Sequence, residues 1–319
     1  MDMQFNPDGD EEGTDDGTRS RYRIIRRYTR WYLQTNIDHS TIRRTSGLTL
    51  LLALVITTAL ATAGNRYQST FFAFVSPLVE GTGWLLHPTL LIYIPLIGVV
   101  IGAILMGVGS LSWADIGIVR SDLRMGVVTL VVTWLLMQAV GAYMAYSNGL
   151  ALEVPAVWNT VGVSHVMGDF LGQLFGNAPF EEIVFRAVLL VQGFKLLRAR
   201  LPAIPDRLAF AFVLIVTQMI FALYHIPSRL MAGVPVESLL PVLVLPFLFG
   251  VLLSLVYYRT GNLFVPIVLH TLLNAPMMVV GSANAGMETV FLLMIAIVLG
   301  WPFFEGGYER VRARTEVAT

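Results

Sequence analysis

Three short clusters of ionisable and amide side chains interrupt segments of this chain that are otherwise apolar. An ionised side chain at bilayer depth costs at least about 2.5 kcal/mol, so we interpret these residues as functional. A glutamate and a histidine that converge on one water form a general base, and a second histidine with an amide can donate to an oxyanion. Together these groups are sufficient for hydrolysis of an amide bond by water, without a covalent nucleophile. The clusters are Glu181-Glu182-x-x-x-Arg186, Phe221-x-x-x-His225 and His270-x-x-x-Asn274.

Helical spacing separates the roles within the first cluster. Glu182 and Arg186 lie four residues apart, on one face of a helix, and can form an ion pair. Glu181 is rotated from Glu182 by about 100° and is left free to face a cavity, so it is the predicted base. Pro179 suits the first turn of a helix, which predicts that the cluster lies near a helix N-terminus. One such pair alone could be purely structural, and the two histidine clusters shift the balance towards a site.

The composition predicts that these clusters lie in a membrane. The chain is 55% hydrophobic and 13% charged, whereas soluble domains are about 25% charged. Apolar runs long enough to cross about 30 Å of hydrocarbon recur along it. We predict an all-α, polytopic membrane protein of about eight transmembrane helices, with a polar catalytic cavity formed by spans four to seven. The predicted spans cover residues 47–64, 88–109, 125–147, 175–197, 208–226, 236–258, 262–280 and 286–304.

Charge is distributed unevenly along the chain and predicts its orientation. Residues 2–16 hold seven acidic residues and no basic one, and residues 19–30 hold six arginines. If the N-terminus is cytoplasmic, 18 of the 21 lysines and arginines fall in inner segments, so both termini are predicted to be cytoplasmic. The predicted parts are a disordered acidic tail (1–18), a basic amphipathic interfacial segment (19–45), a transmembrane domain (46–304) and a cytoplasmic tail (305–319).

The clusters and their surroundings resemble three motifs of the CPBP family of intramembrane proteases. This is the CAAX protease and bacteriocin-processing group, also called Abi or type II CAAX prenyl endopeptidases. The resembling segments are residues 177–187, 219–227 and 259–274, in the family's order, within a CPBP-like catalytic core of residues 175–280. The resemblance implies an intramembrane endopeptidase acting on membrane-anchored or lipidated proteins in the bilayer, and no nucleic-acid partner is expected.

The resemblance also implies a role for each residue of the clusters. Glu181 and His225 would activate the attacking water. Glu182 and Arg186 would support that pair. His270 and Asn274 would stabilise the tetrahedral oxyanion.

Three questions stay open at the level of sequence. Glu181, His225 and His270 could hold a divalent metal ion such as zinc, although no His-Glu-x-x-His motif is present. The predicted orientation, with both termini in the cytoplasm, puts Glu181 and His225 nearer the outer ends of their helices. A CAAX substrate would approach from the cytosol, so this position conflicts with such a substrate. A polytopic transporter, or a non-catalytic scaffold or immunity protein with the same fold, are the alternative functions.

Overall fold

Helices are the only regular secondary structure in the part of the chain that the structure describes. The structure, a computed structural model, describes Ile37 and residues 41–317, with 283 and 302–317 described by their backbone alone. The predicted acidic tail and most of the predicted interfacial segment lie outside the described residues. The helices are α1 (Gly47–Arg66), α2 (Gln68–Gly81), α3 (Pro88–Val108), α4 (Leu123–Ser147), α5 (Ala156–Thr160), α6 (163–200), α7 (Asp206–Tyr224), α8 (Ile226–Met231), α9 (Leu239–Thr260), α10 (Phe264–Asn274) and α11 (Ala283–Val317).

Six stretches of helix are long and apolar enough to cross a membrane, so the chain is a multi-pass integral membrane protein. They lie in α1, α3, α4, the consecutive pair α7 and α8, α9 and α11. The two remaining predicted spans, 175–197 and 262–280, fall on α6 and α10. The count of eight spans is compatible with this arrangement and stays a prediction.

Helix α6 is longer than the predicted fourth span and is irregular. It runs without a break from residue 163 to residue 200, and it widens to π-helical geometry over Gln173–Asn177 and Glu182–Leu190. The expectation that Pro179 begins the helix is therefore wrong, since the π-helical turns before it continue the helix past the missing proline N–H. Widened turns of this kind are frequent at functional sites. Here they contain or adjoin most residues of the first cluster.

Helix α10 is too short to cross the membrane as a helix. Its 11 residues extend about 16 Å, half of a hydrocarbon layer of about 30 Å. Gly261, in the left-handed conformation at φ 64°, ends α9. The side chain of Asn262 then accepts a hydrogen bond from the N–H of Phe264, the first residue of α10. The predicted seventh span, 262–280, is thus helical only in its first part.

Three backbone groups of the non-helical residues that follow α10 are hydrogen-bonded to side chains. Gln138 accepts from the Val279 N–H at 2.9 Å, and Trp134 donates to the Met277 carbonyl at 3.0 Å. Trp158 donates to the next carbonyl, that of residue 278, at 2.6 Å. Irregular backbone at membrane depth is tolerated only where such partners exist. Helix α10 packs against α4, α6, α9 and α11, so it is buried from Val265 to Leu273, whereas Asn274 at its end is exposed.

Candidate active site

The centre of the candidate site is a buried contact between the first and third sequence clusters. Glu182 and Arg186, one turn apart on α6, have no exposed surface, and the Glu182 Oε1 atom lies 3.2 Å from Arg186 Nη1. The same oxygen lies 2.7 Å from Nδ1 of His270 on α10. The Arg186 guanidinium also lies 4.1 Å above the Phe221 ring of α7. One carboxylate therefore joins α6 to α10, and one guanidinium joins α6 to α7.

This contact fixes the direction in which His270 presents its second ring nitrogen. An ionised carboxylate only accepts hydrogen bonds, so the proton shared with Glu182 lies on Nδ1. The other nitrogen, Nε2, lies 3.8 Å from Oε2 of Glu181. Glu182 thus orients His270 towards Glu181.

Glu181 lies at the wall of a cavity of about 200 Å³. It is 4% exposed, and the Tyr93 hydroxyl of α3 lies 3.5 Å from its Oε1 atom. Tyr93, Tyr224 and His225 line the same cavity, which extends to the C-terminal end of α1. The cavity has room for several water molecules, each occupying about 30 Å³ in the liquid.

His225 lies where α7 gives way to α8. Helix α7 ends at Tyr224, two residues before the predicted end of the fifth span, and Pro227 stands in the first turn of α8. The His225 Nδ1 atom lies 2.8 Å from the Phe221 carbonyl, so this nitrogen carries a proton and donates it. His225 also lines a second cavity, of about 220 Å³, together with His270 and Asn274. It therefore stands between the Glu181 cavity and a cavity that holds both predicted oxyanion donors.

Asn274, at the C-terminal end of α10, is held by a residue that the sequence clusters do not include. Gln173 of α6 accepts hydrogen bonds at Oε1 from Asn274 Nδ2, at 3.0 Å, and from Asn177 Nδ2, at 2.9 Å. One Asn274 N–H thus points to Gln173, and the other is available for a ligand. Sequence analysis missed Gln173 and Tyr93. The Asn177 amide, four residues after Gln173, is a signal in the sequence that could have indicated the first.

The predicted site residues lie at different distances from one another in the structure. Glu181, Glu182, Arg186 and His270 lie in direct contact range. His225 and Asn274 join them by lining shared cavities. The catalytic role of each stays a prediction.

The predicted metal ligands do not form a close cluster in the described part of the chain. Among the described residues, no three histidine, aspartate or glutamate side chains converge closely enough to hold one. A catalytic zinc takes three protein ligands and a water. In His270 and His225, Nδ1 is held by the Glu182 carboxylate and the Phe221 carbonyl, which leaves Nε2 of each ring as the nitrogen that could bind an ion. Metal binding by Glu181, His225 and His270 stays a prediction.

Comparison with known protein families finds a match within the chain. Residues 163–276 match the family model of Rce1-like proteins, described as type II CAAX prenyl endopeptidase Rce1-like. The match runs from the start of α6 to just beyond Asn274, a little over a third of the chain. No curated protein and no solved structure matches this chain. The match confirms the resemblance to the CPBP family, and it supports an intramembrane protease.

Proposed function

We propose that this chain, which carries an Rce1-like segment at residues 163–276, is an intramembrane endopeptidase that cleaves membrane-associated or lipidated proteins. The observation that carries the proposal is the pairing of Glu181 with His225 at one cavity, while His270 Nε2 lies 3.8 Å from Glu181. The base and its orienting histidine line this cavity, and the two donors line the neighbouring cavity, which His225 also lines. That is the set of groups that amide hydrolysis requires.

In the proposed reaction, a water molecule in the cavity lies between Glu181 and His225. Glu181 takes its proton as the oxygen attacks the scissile carbonyl carbon, and the carbonyl oxygen becomes an oxyanion. His270, when it carries a proton on each ring nitrogen, donates from Nε2 to that oxyanion, and Asn274 donates from its amide. The tetrahedral intermediate then collapses as Glu181 returns the proton to the leaving nitrogen.

The supporting residues act by holding the donors in position. Glu182 keeps its contact with His270 Nδ1 throughout, and Arg186 balances the Glu182 charge. Gln173 keeps the Asn274 amide in one orientation. Preorganised donors of this kind act strongly because they need no rearrangement when charge develops.

The test is cleavage of quenched-fluorescent peptides by the purified protein in liposomes. The panel contains farnesylated CAAX peptides and unmodified peptides with a membrane anchor. Glu181→Gln keeps the shape of the side chain and removes the base, so cleavage should fall by about 10²- to 10⁴-fold. Glu237→Gln makes the same change at an exposed position outside the site and should cleave at the wild-type rate.

Three results would redirect the proposal. If Glu181→Gln cleaves the peptides at the wild-type rate, the proposed mechanism is wrong. Uptake driven by an ion gradient, with no peptide cleaved, would favour the transporter. Substrate binding without cleavage would favour the scaffold. Elemental analysis of the purified protein tests zinc separately, and we expect a metal-free preparation to remain active.

A further inference from the structure

The Glu181 carboxylate receives a hydrogen bond from outside the segment that matches the family. Tyr93 lies on α3, whereas the match begins at residue 163. Its hydroxyl lies 3.5 Å from Oε1 of Glu181, and this is the one hydrogen bond that the described side chains make to that carboxylate. Glu181 is 4% exposed, and burial of a carboxylate is costly unless it is hydrogen-bonded. Tyr93 therefore supplies a donor that this buried group requires.

Packing holds the Tyr93 ring beside Glu181 without help from the hydroxyl. The ring centre lies 5.4 Å from that of Phe180, the residue before Glu181, a separation typical of packed aromatic pairs. Gly176 of α6 permits this approach, because a Cβ atom built there would lie only 3.1 Å from Cβ of Tyr93. Replacement of Tyr93 by phenylalanine should thus keep the ring in place and remove the hydroxyl alone.

The hydroxyl determines how the Glu181 carboxylate is turned. The last torsion of a glutamate side chain has a broad preference, so the helix does not fix it. With Oε1 held by Tyr93, the other oxygen, Oε2, faces His270 Nε2 at 3.8 Å. That distance is too long for a hydrogen bond, so Oε2 keeps its lone pairs for a proton from water.

A second tyrosine favours donation by Tyr93 to the carboxylate. Tyr224, on α7, lines the same cavity and is a hydrogen-bond partner of Tyr93. A tyrosine hydroxyl has a single proton to donate. Hydrogen bonds to an ionised acceptor are about twice as strong as neutral ones, so Tyr93 donates to Glu181 and accepts from Tyr224. The two hydroxyls then form a chain that ends on Oε1 of Glu181.

We propose that Tyr93 is a positioning residue, whose hydroxyl holds Oε1 of Glu181 so that Oε2 takes the proton of the attacking water. The proposal rests on the proposed function and extends its site to α3, outside the matched segment. The proton passes from the water to Oε2 as the water oxygen bonds to the scissile carbon, and Tyr93 keeps its own proton throughout. Tyr93 thus orients Glu181 as Glu182 orients His270.

The kinetics of Tyr93→Phe in liposomes test this role. With the quenched-fluorescent peptides, kcat should fall by about 10- to 100-fold, the usual effect of losing a hydrogen bond to a charged group. KM should not change, because Tyr93 contacts the base and not the peptide. Tyr143→Phe makes the same change at an exposed tyrosine outside the cavity and should keep both constants.

A double-mutant cycle shows whether Tyr93 acts through Glu181. In a Glu181→Gln background, Tyr93→Phe should change the residual rate by less than about twofold, since the oxygen that it positions is no longer a base. An equal loss of rate in both backgrounds would mean that Tyr93 acts on the substrate or on the fold, and the proposal would be wrong. A higher KM with unchanged kcat would also overturn it, because that pattern indicates binding of the peptide by Tyr93.

An infrared measurement tests the hydrogen bond without any cleavage. Subtraction of the Glu181→Gln spectrum from that of wild type isolates the bands of the Glu181 carboxyl group. The same subtraction in the Tyr93→Phe background should give these bands at a shifted frequency, and unshifted bands would show that the hydroxyl does not hold Glu181. A shift without cleavage of any peptide by wild type would sustain the contact and remove the proposed function. Glu181-dependent cleavage with neither a shift nor a loss of kcat in Tyr93→Phe would keep the protease and discard the role of Tyr93.

Discussion

Glu182 connects the stability of the protein to the proposed chemistry. It contacts Arg186 and His270 from a position with no exposed surface, and one oxygen atom makes both contacts. Removal of one partner of a buried ion pair costs about 3–5 kcal/mol, because the other charge stays buried and unpaired. The same carboxylate decides which His270 nitrogen faces Glu181. A change at Glu182 should therefore lower both the stability of the protein and its activity.

Glu182→Gln tests this double role. It removes the charge opposite Arg186 with little change of shape, so we expect the free energy of unfolding to fall by about 3–5 kcal/mol. The protein that remains folded should lose activity, because His270 loses its anionic partner. Denaturant titration in detergent micelles measures the first effect and peptide cleavage the second. Glu237→Gln is the matched control, and equal stability of the two variants would show that the pair contributes nothing.

A second variant separates the two contributions of Glu182. Replacement of both members of a buried pair by apolar residues is often neutral for stability. Glu182→Leu with Arg186→Met should thus recover much of the lost stability. Activity should not return, since His270 still lacks its acceptor. Recovered activity would mean that Glu182 serves the fold alone.

The residues that sequence could predict are those that repeat at helical spacing. Glu182 and Arg186 contact each other as their four-residue separation predicts. Tyr93 and Gln173 could not be found this way, because each reaches the site from another helix or from a turn that is not α-helical. Contacts between helices depend on packing, which the local spacing of one segment does not encode.

At the scale of the helices, the position of α10 controls the proposed oxyanion donors. This helix carries His270 and Asn274, and its first residue packs tightly against α4. A Cβ atom built on Gly126 of α4 would lie 2.5 Å from Cβ of Phe264. Neither atom belongs to a flexible side-chain end, so the two helices would have to move apart. The close approach at Gly126 therefore sets where α10 begins.

Sequence predicted most helices but not this close approach or the end of α10. Apolar runs reveal length and composition, and they predicted α1, α3, α4, α7 and α9 to within a few residues. The residues after Asn274 are also apolar, so nothing in their composition marks a helix end. Their partners, Gln138 and Trp134, are distant in sequence.

Gly126→Ala tests whether the position of α10 matters for activity. Overpacking should cost about 1–3 kcal/mol of unfolding free energy. Activity should fall by as much as about 10²-fold, since a displacement of about 1 Å at a reacting group has that effect. Gly98→Ala on α3 is the matched control, because an added Cβ there meets nothing within 4 Å. Both variants gain helix propensity, so only the steric contact differs between them.

One outcome would contradict the prediction for Gly126→Ala. If Gly126→Ala unfolds and cleaves as Gly98→Ala does, α10 can shift without moving the donors. The site would then depend on α6 and α7 alone.

At the scale of the whole molecule, orientation determines which substrates can reach the site. The cavity at Glu181 extends to Gly64 and Asn65, at the C-terminal end of α1, and to Gln68, the first residue of α2. The distribution of arginine and lysine predicts that this end lies on the outer side. A peptide entering there would come from the outer half of the bilayer. A cytosolic CAAX substrate would require the opposite orientation or a second entrance.

The orientation can be measured with single cysteines, because the chain has none of its own. Ser121→Cys, between α3 and α4, should lie inside, and Asn148→Cys, after α4, should lie outside; both positions are exposed. In right-side-out vesicles an impermeant maleimide should label Asn148→Cys at once and Ser121→Cys only after permeabilisation. That pattern would direct the substrate search to proteins whose cleavable end reaches the outer half of the bilayer. The reverse pattern would put the cavity entrance on the cytoplasmic side, where a prenylated C-terminus could enter it directly.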